Sequence, residues 1–371
     1  MSRLAQRWPV IFIEEPVPGA PENRIERIDA APGVEVWRPH MRGDAHGFHA
    51  DHKAALQRMV LQAMRESHIT DYWIWFYTPM ALPMADMLEP AGIIHDCMDE
   101  LSAFKHAPQA LLDFETTLFE TADVVFTGGR SLYNHKRSRH HNIHCFPSSV
   151  DAQHFRHATQ DHPLQKDIAH PRMGYCGVID ERIDIDLIAG MAQARPDWQI
   201  VMVGPVAKID PASLPRLPNI HWLGQQGYDD LPAFISGWDV CLLPFALNES
   251  TRFISPTKTL EYMACGRPSV STAIRDVVEP YGHVVDIRSD AAGFVEACDA
   301  LLLRTPQEQA AHALAVGEII ARTSWDATAA AMGELIAQAE TARTEQSLPA
   351  GMSAGAATAS RGRGVSAVAA G

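Results

Sequence analysis

Short runs of β-branched and aromatic residues alternate along this chain with longer stretches of helical periodicity, and they do so in two separate series. That alternation confines the chain to α/β architectures with mainly parallel sheets, because each strand reaches the next through a helix. In the first series strands are predicted at residues 10–13, 34–37, 72–77, 92–95, 124–127 and 143–146, with the clearest helices at 49–67 and 109–121. In the second, strands are predicted at 173–177, 200–203, 220–223, 240–243, 269–272 and 284–287, followed by helices at 291–303, 306–323 and 325–342. Between the series, residues 147–171 are polar, His-rich and interrupted by Pro, without a sustained period.

The length of 371 residues exceeds one ordinary core and suits two α/β domains plus a tail. The expected division is an N-terminal Rossmann-like domain over 1–150, a hinge over 151–172, a second Rossmann-like domain over 173–322, a helix over 323–342 crossing back to the first, and a tail over 343–371. The tail is Ala, Gly, Ser and Thr with a little Arg. It is predicted to be disordered, since it cannot bury enough apolar surface to offset its ordering entropy.

The start of the chain is unusual, because residues 1–8 read as the end of an amphipathic helix running directly into the strand at 10–13. A doubly wound sheet of order 3-2-1-4-5 has its first strand in the middle. The chain is therefore expected to lack that strand and to leave a gap between strands 2 and 4. The reading drawn from this is a misassigned start or a truncation.

Charge and cysteine usage narrow the function. Acidic residues number 45 against 31 Lys and Arg, a net charge of −14, which repels polyphosphate and argues against nucleic-acid binding. The basic stretch Lys136 to His144 is read as a solvated helix end and turn, with an anionic membrane surface or a metal as the alternatives. Six cysteines lie far apart without a CxxC pair and read as reduced core residues of a cytoplasmic protein. No run is apolar for the roughly 18 residues of a spanning helix and no signal peptide opens the chain, so membrane contact at the inner face would be peripheral.

The segment Ile254 to Pro268 (ISPTKTLEYMACGRP) carries the most chemistry. Ser255 is a good N-cap, Pro256 fits the first helical position, and Gly266 with Pro268 supplies the stop. Lys258 then lies in the first turn, where a cation opposes the helix dipole unless an anion sits between it and the exposed N–H groups. Glu261 follows three residues later on the same face, placed either to accept hydrogen bonds from ribose hydroxyls or to form a surface pair with Lys258. In the first half, His95 and Asp96 end a strand and Asp99 follows in the loop. Carboxylates at a strand's carboxyl end are where ligands bind in such sheets; helix capping by Asp99 is the alternative.

Several stretches together resemble bacterial group 1, or family 4, glycosyltransferases of GT-B type, most closely the branch with teichuronic-acid-type enzymes. They are Asp96 to Glu100 (DCMDE) with Phe104, Ala122 to Phe126, Phe146 to Asp151 with His154 and Phe155, and Gly174 to Arg182. Gly224 to Leu231, Trp238 to Phe245, the Ser255 to Pro268 segment and Ser324 to Asp326 complete the series, in order, over roughly residues 3–342. The resemblance implies two Rossmann-like domains facing a central cleft. It implies a retaining transferase that takes a sugar from a nucleoside diphosphate to a cell-envelope or exopolysaccharide acceptor, a glycan or lipid-linked molecule, with no metal and no other cofactor.

By the same resemblance, Gly177 belongs to a Gly-rich turn near the donor phosphates. Arg182 and Lys258 neutralise the leaving diphosphate with the helix N-terminus, where Ser255 and Thr257 lie. Gly224 and Tyr228 bound the loop at the nucleobase, and His95, Asp96 and Asp99 fall on the acceptor or sugar side. The wider family carries two glutamates seven residues apart. Glu261 matches the second, but Phe253 stands at the first, so Glu249 in the same loop is the candidate sugar contact. The implied mechanism is front-face attack, with a donor phosphate oxygen taking the acceptor's proton and hinge closure assembling the site. A non-catalytic nucleotide-sugar-binding subunit and a nucleotide-sugar epimerase are the competing readings.

Overall fold

A computed structural model describes residues 1–104, 107–156, 160–347 and 364–368. The chain divides into two compact units. Unit 1 comprises Met1–Gly128, Leu132–Phe146 and Asp326–Gly371, and unit 2 comprises Gly129–Ser131 and Pro147–Trp325.

The strands, in chain order, are β1 (Val10–Ile13), β2 (Arg24–Ala31), β3 (Val34–His40), β4 (Tyr72–Phe76), β5 (Gly92–Cys97), β6 (Val124–Thr127) and β7 (Ile143–Cys145). They continue as β8 (Arg172–Cys176), β9 (Gln199–Val203), β10 (Ile220–Trp222), β11 (Val240–Leu243), β12 (Ser269–Ser271), β13 (Asp286–Ile287) and β14 (Gly364–Val368).

The sheet of unit 1 has the order β2-β3-β1-β14-β4-β5-β6-β7. Its pairs are parallel except the β2–β3 hairpin, whose turn needs the positive φ of Gly33, +76°. In β4, Trp73 and Trp75 face a cluster with Leu4, Trp8, Phe126 and Ile336, while Ile74 and Phe76 face another with Leu56, Val60 and Trp37. Every residue of this strand is buried, as expected of a sheet covered on both faces. One cover is the helix Lys53–Glu66; the other is the helix Trp325–Ser347, held to the chain's start by Arg3–Asp326 at 2.6 Å and Arg7–Glu334 at 3.0 Å.

Four expectations need correction in unit 1. The final helix runs on to Ser347, and part of the tail predicted to be disordered, Gly364–Val368, is a strand. The gap expected beside β1 is filled by that strand, which pairs with β1 and β4. The rest of the tail, 348–363 and 369–371, lies outside the described residues. The basic stretch does not begin as a solvated helix end: Lys136 is 3% exposed and its ammonium lies 2.6 Å from Glu100 and 2.9 Å from Glu115.

In unit 2 the sheet is parallel throughout, in the order β10-β9-β8-β11-β12-β13. In chain order that is 3-2-1-4-5-6, whose direction of winding reverses between β8 and β11, the point where such sheets open a crevice at their carboxyl edge. The core is filled by Trp198, Phe234, Trp238, Tyr262 and Phe294, all fully buried. The stretch expected as a hinge is, in its described part, tied into this core. Gln165 donates to the Phe234 carbonyl at 2.9 Å and accepts from the Trp238 indole at 2.9 Å, while Arg172 donates to the Ile168 carbonyl at 2.8 Å. Its polar side chains satisfy buried backbone groups, so polarity there did not mean exposure.

Candidate functional site

The carboxyl edges of β8 and β11 carry several of the residues expected on the donor side. After β8 the chain turns through Gly177, whose φ of +153° disfavours any residue with a Cβ, and enters the loop holding Asp180 and Arg182. That loop is tied to the one leaving β11. Asp184 N–H donates to the Pro244 carbonyl at 2.8 Å, Ala246 N–H donates to the Arg182 carbonyl at 2.8 Å, and Ile183 bridges to Phe245. The second loop leads into the helix Thr257–Ala264, so both segments are held at the winding reversal.

The helix begins one residue later than expected. Pro256 is its N-cap, without a side-chain cap, and the Ser255 carbonyl accepts from the Ser148 hydroxyl at 2.7 Å. Lys258 and Glu261 share a face, with Nζ 2.8 Å from Oε2 and side-chain exposures of 22% and 9%. Burial would lower the Lys258 pKa, but the neighbouring Cys176 and Glu261 outweigh it and hold the ammonium above its ordinary value. Cys176 is itself pushed up to about 12 by burial, and its N–H donates to the Tyr262 hydroxyl at 3.0 Å. A cation thus stands in the first turn of a helix, beside the end of β8, with its charge guarded by a buried carboxylate.

Arg182 is gripped by Asp180, which is 3% exposed, through Nε at 3.0 Å and Nη2 at 2.7 Å. Asp180 was not among the expected residues; an acid two positions before the arginine in a tight loop was the available signal. Gly224 has φ +69° and its carbonyl accepts from Gly204 N–H at 2.8 Å. Tyr228 is 51% exposed and stacks on His154, with ring centroids 4.3 Å apart and planes 5° from parallel. Such a half-exposed aromatic pair offers a flat apolar face. His154 stood in a recognised motif, but only the fold brings it against Tyr228.

Glu249 does not join this group. It lies on the turn Glu249–Thr251, which is closed by the capping box of Asn248 and Thr251, with 77% of its side chain exposed and 3.4 Å from Arg252.

In unit 1 the expected acceptor residues separate by strand alternation. Asp96 faces Trp75, accepting from its indole N–H at 3.2 Å, and burial raises its pKa to about 7. His95 faces the opposite way, is 1% exposed, meets Phe119 edge-on at 5.2 Å, and has its pKa lowered by burial to about 4. The structure therefore places His95 in a core rather than on a ligand-facing edge. Asp99 is half-buried after β5 and does not cap the short turn Leu101–Ala103, whose N-cap is Glu100.

Among the described residues, His95, Cys97 and Glu115 bring ligand atoms within 4.8 Å of one another. Glu115, however, already receives Lys136 at 2.9 and 3.0 Å and also Arg139, and those cations would repel a metal ion. The cluster is better matched to a buried ion-pair network than to a metal centre.

Comparison with known proteins agrees with this geometry. Residues 171–304 match the family described as glycosyl transferases group 1. A curated Bacillus subtilis (strain 168) protein carrying the name teichuronic acid biosynthesis glycosyltransferase TuaH is 23% identical over 250 residues, 62% of this chain. The match spans 63% of the length of that relative. Sucrose-phosphate synthase of Thermosynechococcus elongatus superposes with a TM-score of 0.71 at 18% identity, covering 92% of each chain. Anabaena HepE, solved in complex with UDP-glucose, superposes with a TM-score of 0.64 at 14% identity, covering 89% of this chain and 99% of its own. At these identities the solved structures establish the GT-B fold.

Proposed function

We propose, from the premise that residues 171–304 form a group 1 glycosyltransferase domain, that the chain transfers a sugar from a nucleoside diphosphate to a cell-envelope or exopolysaccharide acceptor. The observation that carries this reading is the Lys258–Glu261 pair at the first turn of the helix Thr257–Ala264, set at the winding reversal of the unit 2 sheet. Helix N–H groups and an ammonium in one place favour a dianionic ligand, and a diphosphate supplies it. Arg182, held by Asp180, adds a second cation from the loop tied to the same edge. The His154–Tyr228 pair offers a stacking surface for the base.

In the reaction the acceptor hydroxyl attacks the anomeric carbon on the face the diphosphate leaves. The bond from that carbon to the phosphate oxygen breaks, a bond to the acceptor oxygen forms, and the hydroxyl proton passes to the departing diphosphate. The configuration is retained. Charge developing on the leaving group is met by Lys258 and Arg182, a role that metal ions fill elsewhere. Anabaena HepE, of this fold, has been solved with UDP and with UDP-glucose, which supports a uridine nucleotide as the first donor to try. Asp96 and Asp99 in unit 1 are the acceptor-side candidates.

The test is calorimetric titration with UDP and a panel of UDP-sugars, followed by product analysis with acceptor glycans. Binding with release of UDP and appearance of a glycosylated acceptor is expected. Nucleotide binding without transfer would replace this reading with a binding subunit, and an isomerised donor would replace it with an epimerase.

A further inference from the structure

The middle of the unit 1 sheet is occupied by a strand from the far end of the chain. β14 pairs in parallel with β1, Phe12 opposite Ala367 and Ile13 opposite Val368. On its other side it pairs in parallel with β4 from Gly364 opposite Tyr72 to Val368 opposite Phe76. Three strands lie beyond it on one side and four on the other, so among the described residues it is the strand that joins two half-sheets.

The rows it joins are among the driest in the unit. Trp75 is 1% exposed, Phe76 0%, Val10 2% and Ile13 6%. With β14 in place the backbone N–H and C=O groups on the facing edges of β1 and β4 have it as their hydrogen-bond partner, and each such group left unpaired away from water costs about 1–3 kcal/mol. β14 is nonetheless five residues long and is separated from the helix ending at Ser347 by residues 348–363. Closing a connection of that length adds little entropy cost beyond that of a shorter one. The strand is therefore required by its neighbours, and its own hold on them is a ladder of five residues.

We infer that the β1–β4 slot is a strand-binding groove, that its occupant is this chain's own segment Gly364–Val368 bound in cis, and that docking of this segment controls whether unit 1 is ordered. When it leaves, β1 and β4 lose protection together and the groove becomes open to another parallel strand. Unit 2, whose sheet shares no strand with this one, stays folded. The inference does not depend on the sugar-transfer reading.

Hydrogen exchange on the full-length chain tests this. Ser366→Pro removes one N–H from the ladder and is expected to lower protection in β1 and β4 by roughly 100-fold, with β8 and β9 unchanged. Ser366→Ala, which keeps the N–H, and Ala356→Pro, outside the strand, should both leave protection at the parent level. A peptide of residues 360–371 added to the Ser366→Pro chain should restore protection in β1 and β4. The inference is overturned if Ser366→Pro leaves β1 and β4 protected, if it opens unit 2 to the same extent, or if the peptide does not restore them. The assignment in cis is overturned if the parent's protection depends on protein concentration and accompanies a dimer, which would make the strand a second copy's.

Discussion

Lys258 Nζ rests 2.8 Å from Glu261 Oε2 across one turn of the helix Thr257–Ala264. In the free protein the carboxylate neutralises a cation that the helix dipole disfavours there, and it aims the ammonium along the first turn. An arriving diphosphate would share that ammonium instead of having to order it.

Lys258→Ala should weaken UDP binding by about 1.5–3 kcal/mol, roughly 10- to 150-fold, the scale of a charge-assisted hydrogen bond. Titration calorimetry reads it, and an unchanged affinity would remove Lys258 from the site. Thermal unfolding should also shift downward, since the substitution leaves the Glu261 carboxylate, 9% exposed, without its cation, and restored stability on nucleotide addition is not expected.

Asp180→Asn should release the two-point grip on Arg182 and lower affinity for the nucleotide by roughly 5- to 10-fold, through loss of orientation rather than of charge. The same titration measures it. A variant that binds as the parent does would show that the guanidinium acts elsewhere.

His95 and Asp96 make unit 1 respond to pH in opposite senses. Burial lowers His95 from 6.5 to about 4, so its contribution to stability is present above the unfolded value and is lost as pH falls through that window. Burial raises Asp96 from 3.8 to about 7, so its contribution is complete below the unfolded value and is lost as pH rises toward 7. Glu115, Lys136 and Arg139 face His95, and the Trp75 indole faces Asp96. In the parent the two slopes offset each other. Asp96→Asn should make the melting temperature of unit 1 fall on acidification from pH 7 to 4.5; His95→Gln should make it fall on going the other way. Calorimetric melting over that range would count against the account if either variant were as flat as the parent.

Lys136→Met should destabilise unit 1 by about 3–5 kcal/mol, because it leaves the Glu100 and Glu115 carboxylates facing each other in a site where Lys136 and Glu115 are each 3% exposed. Adding Glu100→Gln should recover part of that loss. Urea unfolding of the single and double variants measures both.

Much of the fold is readable one segment at a time. β4 and β11 are continuous apolar runs because both of their faces are covered, and Val240 to Leu243 was placed without error. β2 was missed because its sequence, RIERIDAA, sets charged residues between its apolar ones, and at a sheet edge its pattern of exposure resembles a loop's. Spacing alone put Lys258 and Glu261 on one helical face. It could not choose between a ligand contact and an ion pair, and the structure shows the pair formed.

His95 and Asp96 show the limit from the other side. A period of two sends neighbours to opposite faces, but which face meets Phe119 and which meets Trp75 depends on helices and strands that arrive from elsewhere. Glu249 was plausible by its loop, and the structure leaves it exposed beside Arg252 on a turn capped by Asn248 and Thr251.

What the amino-acid sequence determined by itself is local and periodic: where most strands and helices form, that the sheets are mainly parallel, and which cation opens which helix. What fills the space between β1 and β4 was decided only by the tertiary structure. Gly364 to Val368 is too short and too poor in large residues to announce a strand, and its partners lie at the opposite end of the chain. Backbone hydrogen bonding does not depend on side-chain identity, so the groove and its occupant become visible only when the two ends are brought together.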